Sequence, residues 1–338
     1  MRVLLIGLGG FGKHHLRVWR ELGQEVFLCD QDAGRLALGD PYNIPADHRG
    51  TRYEPFLDRV DAVDIVTPTD AHHPIAQACL EAGKDLFIEK PVTLRSHEAR
   101  ALQRLSERQR RIVQVGHIFR FNPAAQYIKA AIGEGRLGAV RYLQGLFKGF
   151  KRMRTDVGVT QTDSIHFFDI FTWFMGHRPQ AVTAITRDYA GRQLDDLSHA
   201  FLEYEGGVLG HVESGYFDPD TYRHITVIGD RAAVRSDVVA QRVELFRNRH
   251  ARQGSLVTAS SDGMELPHVI TKEPLELELR AFLQCVQTRS RPLAGLEEGY
   301  VTLKITEAAY ESSASGRRVP ITYDDAPRES PQILTHSH

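Results

Sequence analysis

The sequence predicts an α/β protein that begins with a doubly wound parallel sheet and continues into an α+β domain with a large, mostly antiparallel sheet. Up to residue 118, short apolar runs alternate with helical patterns, which is typical of parallel strands covered on both faces. After Asn122-Pro123, a helical pattern is followed by strands in which apolar and polar residues alternate. Such alternation indicates a sheet with one covered face, so we expect two domains of different architecture.

The first region is predicted to alternate between strands and helices. We expect strands at 3–6, 26–29, 62–66, 86–88 and 112–115, and helices at 13–22, 74–82 and 96–109. The strand candidates are short and mainly apolar, as expected for strands that are buried on both faces. Residues 39–52 show little periodicity, and we expect a loop there.

The second region is predicted to mix helices with alternating strands. We expect helices at 124–133, 275–288 and 299–313, and strands at 140–147, 199–204 and 209–214. The stretch 327–338 is predicted to be a disordered tail. These patterns give an N-terminal domain at 1–118, a second domain at 119–326, and the tail.

The composition excludes several classes of protein. The 338 residues carry a formal net charge of −1, and the arginine-rich run 104–111 has no interleaved aromatic residues, so we expect no nucleic-acid partner. No apolar run has the length of a membrane span, so we expect no membrane partner. The three cysteines form no CxxC pair, which predicts a cytoplasmic protein. The pairs His14-His15 and His72-His73 lack a companion cluster, so we predict no metal site.

A glycine-rich turn follows the first strand, with the sequence Gly7-Leu8-Gly9-Gly10-Phe11-Gly12. Gly7 permits the tight turn, Gly9 lets the backbone approach a pyrophosphate, and Gly12 lets the next helix pack on the strand. Free amides at the start of that helix then bind the pyrophosphate. Asp30 ends the second apolar run, where its carboxylate can accept hydrogen bonds from a ribose diol and would repel the extra phosphate of NADP. This order predicts a Rossmann domain that binds NAD rather than NADP.

A second candidate site is Glu89-Lys90-Pro91, which ends a predicted parallel strand. Ligand crevices form at this end of such sheets. Burial near a cofactor would lower the pKa of Lys90 and let its amine exchange a proton with a substrate. The plainer interpretation is a surface lysine at a strand end, and the tripeptide by itself leaves both interpretations open.

A third candidate is the segment from Thr162 to Asp169, which leads into an apolar helical run. If this segment is helical, His166 and Asp169 lie on one face, next to Asp163 one turn earlier. Such a group can fix the tautomer of the histidine or change its charge. Alternatively, His166 is a satisfied histidine near a helix start, with Asp163 or Ser164 as the N-cap.

Together, these segments resemble the Gfo/Idh/MocA family of oxidoreductases, and the resemblance covers almost the whole chain. Beyond the glycine turn, it depends on three runs of residues: Thr67-Pro68-Thr69-Asp70-Ala71-His72, Glu89-Lys90-Pro91 and Val115-Gly116-His117-Ile118-Phe119-Arg120-Phe121-Asn122-Pro123. The combination is far more specific than any single run. The resemblance also implies a homodimer or homotetramer, with the large sheet of the second domain as the contact surface.

The resemblance implies roles for individual residues. Lys90 would contact both cofactor and substrate, and His166 would meet the reacting hydroxyl. The further implied cofactor contacts are Thr67, Pro68, His72, Glu89 and Arg120. The implied substrate contacts are Lys90, Arg120, Lys151, Arg152, Asp163 and His166.

One position departs from the family pattern. The family usually has an aspartate four residues before the histidine, whereas this chain has Thr162 there and Asp163 one residue later. On a helix, one residue turns a side chain by about 100°, which moves Asp163 off the expected position, although in a loop it could replace the acid. Thr162 can hydrogen-bond a substrate hydroxyl but is no base near neutral pH, so proton transfer would fall to Lys90 or His166. A non-catalytic NAD-binding regulatory protein is therefore an alternative.

The substrate is indicated by two further segments. Residues 116–123 and 156–159 resemble the nucleotide-sugar branch of the family, which contains UDP-N-acetylglucosamine and UDP-N-acetylglucosaminuronate 3-dehydrogenases. Between them, the basic cluster 148–154 could bind a diphosphate through Lys151 and Arg152, or it could be a solvated strand edge protected by charge. We predict reversible hydride transfer between NAD and C3 of a hexose-type sugar that is linked to a nucleotide. A free sugar or an inositol-like polyol is the alternative substrate.

Overall fold

Two sheets form the framework of the computed structural model, which describes residues 1–324. The first sheet has six strands and the second has nine. The predicted tail at 327–338 lies outside the described residues. Within residues 1–324, no helix combines the length and the apolar character needed to cross a membrane. The predicted fold class, a parallel N-terminal sheet followed by a mostly antiparallel sheet, is confirmed.

The N-terminal domain is a parallel sheet with helices on its faces. Its elements are β1 (Arg2–Ile6), α1 (Gly12–Glu21), β2 (Glu25–Cys29), β3 (Arg49–Gly50), β4 (Ala62–Ile65), α2 (His72–Glu81), β5 (Asp85–Ile88), α3 (Ser96–Gln109) and β6 (Val113–Val115). The strands lie in the order β3-β2-β1-β4-β5-β6, and all adjacent pairs are parallel. The chain order reverses between β1 and β4, so a crevice opens at the carboxyl ends of these strands.

The predicted helices and main strands of this domain appear within two residues of their expected bounds. The predicted loop at 39–52 is wrong in part, because it contains short 3₁₀ turns and the edge strand β3. β3 pairs Arg49 and Gly50 with Leu28 and Cys29 of β2. Two residues carry no readable periodicity, so the strand depends on its position beside β2 in the folded chain.

The second domain contains the nine-stranded sheet and four helices. Its elements are α4 (Pro123–Gly133), β7 (Val140–Lys148), α5 (Ile165–Met175), β8 (Ala181–Arg187), β9 (Leu197–Glu203), β10 (Leu209–Gly215), β11 (Tyr222–Gly229), β12 (Ala233–Asp237), β13 (Arg242–Gln253), β14 (Leu256–Glu265), α6 (Pro274–Thr288), α7 (Leu296–Ser315) and β15 (Val319–Pro320). The strand order is β14-β13-β12-β11-β7-β10-β9-β8-β15. β7 lies between β11 and β10, so the interpretation of residues 148–154 as a solvated strand edge is wrong.

Helix α5 covers the inner face of the second sheet. Phe167 packs directly against Gly145 of β7, where an added Cβ would lie 2.4 Å from the aromatic ring. Only glycine allows this close approach, which brings the start of α5 to the end of β7. No element of residues 1–324 covers the opposite face of the sheet, which exposes the large side chains of Tyr142 and Phe201.

Helix α6 belongs in space to the first sheet, although it comes late in the chain. Phe282 packs edge-to-face against Trp19 of α1 and Phe87 of β5, with ring centroids 6.3 and 6.0 Å apart. Leu275 and Leu279 are buried in the same cluster. The apolar core of the first sheet is therefore completed by residues from beyond position 118.

Candidate functional site

A cavity of about 1620 Å³ lies between the carboxyl ends of the first sheet and the inner face of the second. Most of the predicted site residues line it: Gly7, Gly9, Gly10, Phe11, Asp30, Thr67, Pro68, Glu89, Lys90, Lys151, Thr162, Asp163 and His166. Five predicted residues do not line it: Leu8, Gly12, His72, Arg120 and Arg152. The cavity therefore unites the glycine turn, the segment after β5 and the segment before α5 in one site.

The glycines of the turn after β1 have two different functions. Gly7 has a φ of +96°, and a Cβ there would lie 2.6 Å from the carbonyl oxygen of Val66. A Cβ at Gly12 would lie 2.0 Å from the carbonyl oxygen of Gly7. In contrast, Gly9 and Gly10 face open space, with no described atom within 4 Å of an added Cβ. Gly7 and Gly12 therefore shape the turn, while Gly9 and Gly10 leave room for a ligand at the start of α1.

Asp30 is fixed at the rim of the cavity by backbone amides. Its Oδ2 accepts a hydrogen bond of 2.7 Å from the amide of Leu8, and its Oδ1 accepts one of 2.9 Å from the amide of Asp32. Leu8 thus contributes its backbone, while its side chain is buried. Arg35 also lies on the rim, with its guanidinium 3.4 Å from both Asp30 and Asp32, and the sequence analysis missed it.

His72 lies one layer behind the cavity wall. Its Nδ1 is 2.8 Å from the carbonyl oxygen of Pro91, and its Nε2 is 2.9 Å from that of Thr67. The ring therefore ties the segment after β4 to the segment after β5. The ring contacts Thr67 and is not part of the cavity lining, so the predicted cofactor contact of His72 stays a prediction.

A buried charged group supports Glu89 from below. Nδ1 of His15 lies 2.8 Å from Asp64, and its Nε2 lies 3.4 Å from Glu89. Although burial lowers the pKa of His15, the two carboxylates outweigh it and raise the pKa to about 10. His15 is therefore a cation at neutral pH that lies behind Glu89, a residue of the cavity wall. Its position on the inner side of α1 gave no separate signal in the sequence.

Lys90 projects from the end of β5 towards the second domain. Its Nζ donates a hydrogen bond of 2.9 Å to the carbonyl oxygen of Thr162. Burial lowers the pKa of Lys90 to about 8, while the carboxylates of Asp163 and Glu89 limit the decrease. The interpretation of Lys90 as a surface lysine is therefore wrong, and its amine can exchange a proton near neutral pH.

His166 lies opposite Lys90 in an aromatic environment. Its ring stacks on Phe119 and Phe147, with centroids 4.6 and 5.5 Å away. Burial, together with the charge of Lys90, lowers the pKa of His166 well below its usual value, so the ring is neutral at pH 7. Its buried Nδ1 has no hydrogen-bond partner among residues 1–324. His166 is therefore not a satisfied structural histidine.

The segment before α5 is a π-helical turn, Thr160–Ser164, that runs into the α-helix without a side-chain cap. The predicted N-cap at Asp163 or Ser164 is therefore wrong. A π turn holds more residues than an α turn, so it shifts the angular positions of the side chains. As a result, both Thr162 and Asp163 reach the cavity wall. The hydroxyl of Thr162 donates to the carbonyl oxygen of Gly158 at 2.8 Å.

Asp163 forms an ion pair in the cavity wall. Its Oδ2 accepts a hydrogen bond of 2.6 Å from Nζ of Lys151. The predicted grouping of His166 with Asp169 is wrong, because Asp169 points away and binds Arg120. Asp163 is therefore the carboxylate of this segment that lies in the site.

Three cations line the wall that the second domain contributes. Lys151 and Arg154 come from the predicted basic cluster, whereas Arg152 is exposed outside the cavity. Arg154 is bound to Asp156 by a 2.8 Å hydrogen bond. Arg223 of β11 completes the group, with its guanidinium 3.5 Å from the ring centroid of Phe147. Sheet register places Arg223 opposite Phe147, and the sequence analysis missed it.

Arg120 has a structural position. Its guanidinium donates to both oxygens of Asp169, at 2.7 to 3.0 Å, and to the carbonyl oxygen of Leu293 at 2.6 Å. Arg120 is 4% exposed and does not line the cavity. The guanidinium is occupied by Asp169 and lies outside the cavity lining, so the predicted contacts of Arg120 with cofactor and substrate stay predictions. The residue anchors α5, and with it the position of His166.

The N-terminal half of the cavity fits a dinucleotide. Gly9 and Gly10 form an open cradle beside the first amides of α1, and the carboxylate of Asp30 faces the same space. Further in, the hydroxyl oxygen of Thr67 is buried without a hydrogen-bond partner among the described residues. Such an unsatisfied atom is suited to a polar group of a bound ligand.

Comparison with known families agrees with this division. Residues 1–117 match a domain described as "Oxidoreductase family, NAD-binding Rossmann fold". Residues 129–321 match one described as "Oxidoreductase family, C-terminal alpha/beta domain". Together, the two matches cover nearly all of the described chain.

Several curated proteins are similar over most of their length. D-apiose dehydrogenase from Paraburkholderia graminis is 25% identical, over 98% of this chain and 92% of that protein. UDP-N-acetylglucosamine 3-dehydrogenase from Acidithiobacillus ferrooxidans is 26% identical, over 85% and 88%. The scyllo-inositol 2-dehydrogenase (NAD(+)) of Bacillus subtilis is 27% identical, over 95% and 96%.

One of these relatives has a solved structure. The UDP-N-acetylglucosamine 3-dehydrogenase superposes with a TM-score of 0.81 at 22% identity, covering 93% of this chain and 98% of that one. At this identity, the likeness shows a shared fold.

Proposed function

Because the chain belongs to the Gfo/Idh/MocA oxidoreductase family, we propose that it transfers a hydride between NAD and a secondary alcohol of a sugar, at C3 of a nucleotide-linked hexose. The observation that carries this proposal is the meeting of Lys90 and His166 in a cavity that continues to the open glycine cradle. The two halves of the cavity provide a cofactor position and a proton acceptor within one space.

The chemistry divides between the cofactor and the chain. When bound, the nicotinamide supplies the hydride acceptor for the carbinol C–H bond. The hydroxyl proton leaves to a neutral base, and the carbinol becomes a carbonyl. His166 is neutral at pH 7, and Lys90 becomes neutral above about pH 8, so either group can accept this proton. The aromatic rings of Phe119 and Phe147 hold the imidazole in place.

Asp163 takes the position of the missing family aspartate in this proposal. The π turn brings its carboxylate into the cavity wall, where it interacts with the ammonium of Lys90 and binds Lys151. A carboxylate near Lys90 favours the protonated amine, so it stabilises the state that follows proton transfer. This arrangement opposes the alternative of a non-catalytic NAD-binding regulatory protein, which was motivated by Thr162.

A nucleotide-linked substrate is supported by the cationic wall. Lys151, Arg154 and Arg223 line the second-domain side of the cavity, against the carboxylates of Asp156 and Asp163. The guanidinium of Arg223 donates to the carbonyl oxygens of Lys148 and Tyr222, and it forms no ion pair with a carboxylate of residues 1–324. A diphosphate would supply an anionic partner through charge-assisted hydrogen bonds.

A free sugar or an inositol-like polyol is the second candidate. Lys151 and Arg154 already have carboxylate partners within hydrogen-bond distance, which leaves Arg223 as the one uncompensated cation of this wall among the described residues. A neutral polyol carries no charge, so its binding does not require any further unpaired cation in this wall. The relatives that are named as apiose and inositol dehydrogenases support the same candidate.

NAD is proposed as the cofactor in preference to NADP. The carboxylate of Asp30 faces the cavity, and Arg35, the cation beside it, lies between Asp30 and Asp32. A 2′-phosphate would therefore meet more negative than positive charge. We expect Asp30→Ala to narrow the preference for NAD about tenfold, which corresponds to about 1.4 kcal/mol. Unchanged preference, measured as the ratio of kcat/KM for the two cofactors, would place the ribose elsewhere.

A homo-oligomer is proposed from the uncovered face of the second sheet. Tyr142, Ile185, Phe201 and Leu209 are each between 44% and 52% exposed on adjacent strands. An apolar patch of this kind is typical of an interface. Light scattering should report a dimer or tetramer, and Phe201→Glu should shift the mass towards that of the monomer.

The cellular compartment is proposed from the cysteines. The three cysteines are buried and unpaired, which supports a reducing compartment such as the cytoplasm.

Thermal unfolding with ligands tests the proposed substrate. We expect NAD to raise the melting temperature, and UDP, UDP-N-acetylglucosamine or UDP-N-acetylglucosaminuronate to raise it further, because each binds the native state. Activity with the same sugars is then measured by NADH formation. A shift with NAD and with myo-inositol, but none with UDP, would support the polyol instead. NAD binding without turnover of any sugar or polyol would support the regulatory alternative.

A further inference from the structure

His199, His211 and Glu213 lie together on the uncovered face of the second sheet, on the side away from the cavity. His199 is on β9, and His211 and Glu213 are alternate residues of β10, so the three side chains project to the same side. Register places His199 directly opposite Glu213. One ligand atom from each residue lies within 4.8 Å of the other two.

The ring of His211 has an unsatisfied atom. Its Nε2 is buried and has no hydrogen-bond partner within residues 1–324. The ring stacks between Phe201, with centroids 4.7 Å apart, and His199, with centroids 5.9 Å apart. Stacking restricts the ring without satisfying its nitrogen, and a buried polar atom without a partner costs free energy.

The carboxylate of Glu213 can bind a cation, although it also forms an ion pair with Lys148. Its Oε1 lies 3.0 Å from Nζ of Lys148. The same ammonium lies 3.0 Å from Oδ2 of Asp218, so Lys148 keeps a carboxylate partner if Glu213 turns away. A carboxylate has two oxygens, and one of them can bind a cation while the ion pair remains.

We propose that His199, His211 and Glu213 bind a divalent transition-metal ion of the zinc class. Two imidazoles and one carboxylate suit Zn²⁺, Co²⁺ or Ni²⁺, whereas Mg²⁺ and Ca²⁺ prefer oxygen ligands throughout. Tetrahedral coordination at about 2.1 Å separates ligand atoms by about 3.4 Å. Small rotations of side chains on adjacent strands can close the remaining gap, because the backbone is fixed by the sheet.

The ion would have three protein ligands and an open fourth position on the same sheet face that is proposed as the oligomer contact. It would link β9 to β10 at a place that hydride transfer does not use. The sequence predicts no metal site because these residues have no motif spacing, and only the register of the two strands joins them. The proposal is independent of the substrate and of the proposed enzyme activity.

Zinc titration of the full-length protein tests the site. The protein is treated with EDTA, dialysed and titrated with ZnCl₂ against a chromophoric zinc indicator, with excess Mg²⁺ present. We expect one tight site per chain that Mg²⁺ does not occupy. His199→Ala and His211→Ala should each weaken it by about tenfold or more, since even outer-shell changes cost a metal site that much. The visible spectrum of bound Co²⁺ should change in Glu213→Gln.

His224→Ala is the matched control, because His224 projects from β11 on the same face but lies outside the cluster. It should bind zinc like the unaltered protein. NAD-dependent thermal stabilisation checks that each variant is folded, and Glu213→Gln, which preserves shape, decides the matter if a histidine variant is unfolded. Absence of a tight site, or equal zinc affinity in the histidine variants and the control, would overturn the proposal.

Discussion

The two halves of the cavity are built in different ways. The cofactor half is mainly backbone: a glycine cradle, the first amides of α1, and Asp30 held by two amides. The substrate half is mainly side chains, with His166, Lys151 and Arg223 brought from separate elements onto one wall. In the proposed function, the dinucleotide is therefore recognised mainly by one local segment, whereas recognition of the substrate depends on how the second sheet is assembled.

Lys90 joins the two halves, so its replacement should have the largest effect. We expect Lys90→Met to lower kcat by about 10²–10⁴, the range for loss of a general acid-base group. The amine donates a hydrogen bond to the carbonyl oxygen of Thr162 across the cavity, and methionine is an unbranched side chain of similar size that lacks the amine. Lys84→Met is the control, because Lys84 caps the carbonyl of Val60 outside the cavity. A near-native kcat in Lys90→Met would contradict the role of Lys90 and would indicate that His166 accepts the proton.

Replacement of Arg223 should affect the substrate half of the cavity and leave the cofactor half unchanged. We expect Arg223→Met to raise KM for a nucleotide-linked sugar by about tenfold to a hundredfold, the effect of losing a charged hydrogen bond. KM for NAD should stay the same, because Arg223 lies on the wall of the second domain. Arg152→Met, an exposed change in the same basic region, should alter neither value. Equal KM values for UDP-linked sugars in both variants would contradict the proposal that this wall binds the diphosphate.

Substitutions at two glycines of the turn should separate an effect on NAD affinity from an effect on the stability of the fold. We expect Gly9→Val to weaken NAD binding by about tenfold, or about 1.4 kcal/mol, with little loss of stability, since its side chain enters open space. Gly12→Ala should instead lower the free energy of unfolding by about 1–3 kcal/mol, because its Cβ collides with the carbonyl of Gly7. Calorimetric titration and denaturant unfolding measure the two effects. The same loss pattern in both variants would contradict the division of roles.

The pH profile of sugar oxidation identifies the base. The expected change, a shift in the midpoint of the profile, is the smallest of the predicted effects. If Lys90 accepts the proton, kcat/KM should rise as pH increases through about 8, because the amine is neutral above its pKa. Asp163 raises that pKa, so Asp163→Asn should move the midpoint to lower pH. The pKa of His166 lies well below 6.5, so a profile that is flat from about pH 7 to 9 would identify His166 as the base.

The elements with strong local signals could be predicted from the sequence. The strands of the first sheet are short apolar runs, α3 was predicted with its actual bounds, and the glycine turn is where the spacing indicated. The edge strand Arg49–Gly50 was missed, because its two residues form a strand only by pairing with β2. The packing function of Gly12 was also predicted from the glycine spacing, whereas the position of His72 behind Thr67 was not. The predicted cofactor contacts themselves stay predictions.

The substrate site was less predictable for two physical reasons. Arg223 reaches the cavity because β11 pairs with β7, a contact between residues 75 positions apart that no local pattern reveals. Arg120 and Asp169 satisfy each other's charges, which only their burial together could show. The π turn at 160–164 changes the angular position of Asp163, and helical spacing alone gave the wrong partner for His166.

The family, the Rossmann turn and the residue types that can move a proton can be read from the amino-acid sequence alone. Those features depend on backbone conformation and on side-chain chemistry, which are encoded within a few consecutive positions. Folding brings some of these residues into one cavity, lowers the pKa of Lys90 and of His166, and groups His199 with His211 and Glu213. Burial and charge depend on neighbours that the fold brings together from distant parts of the chain, so no single segment could specify them.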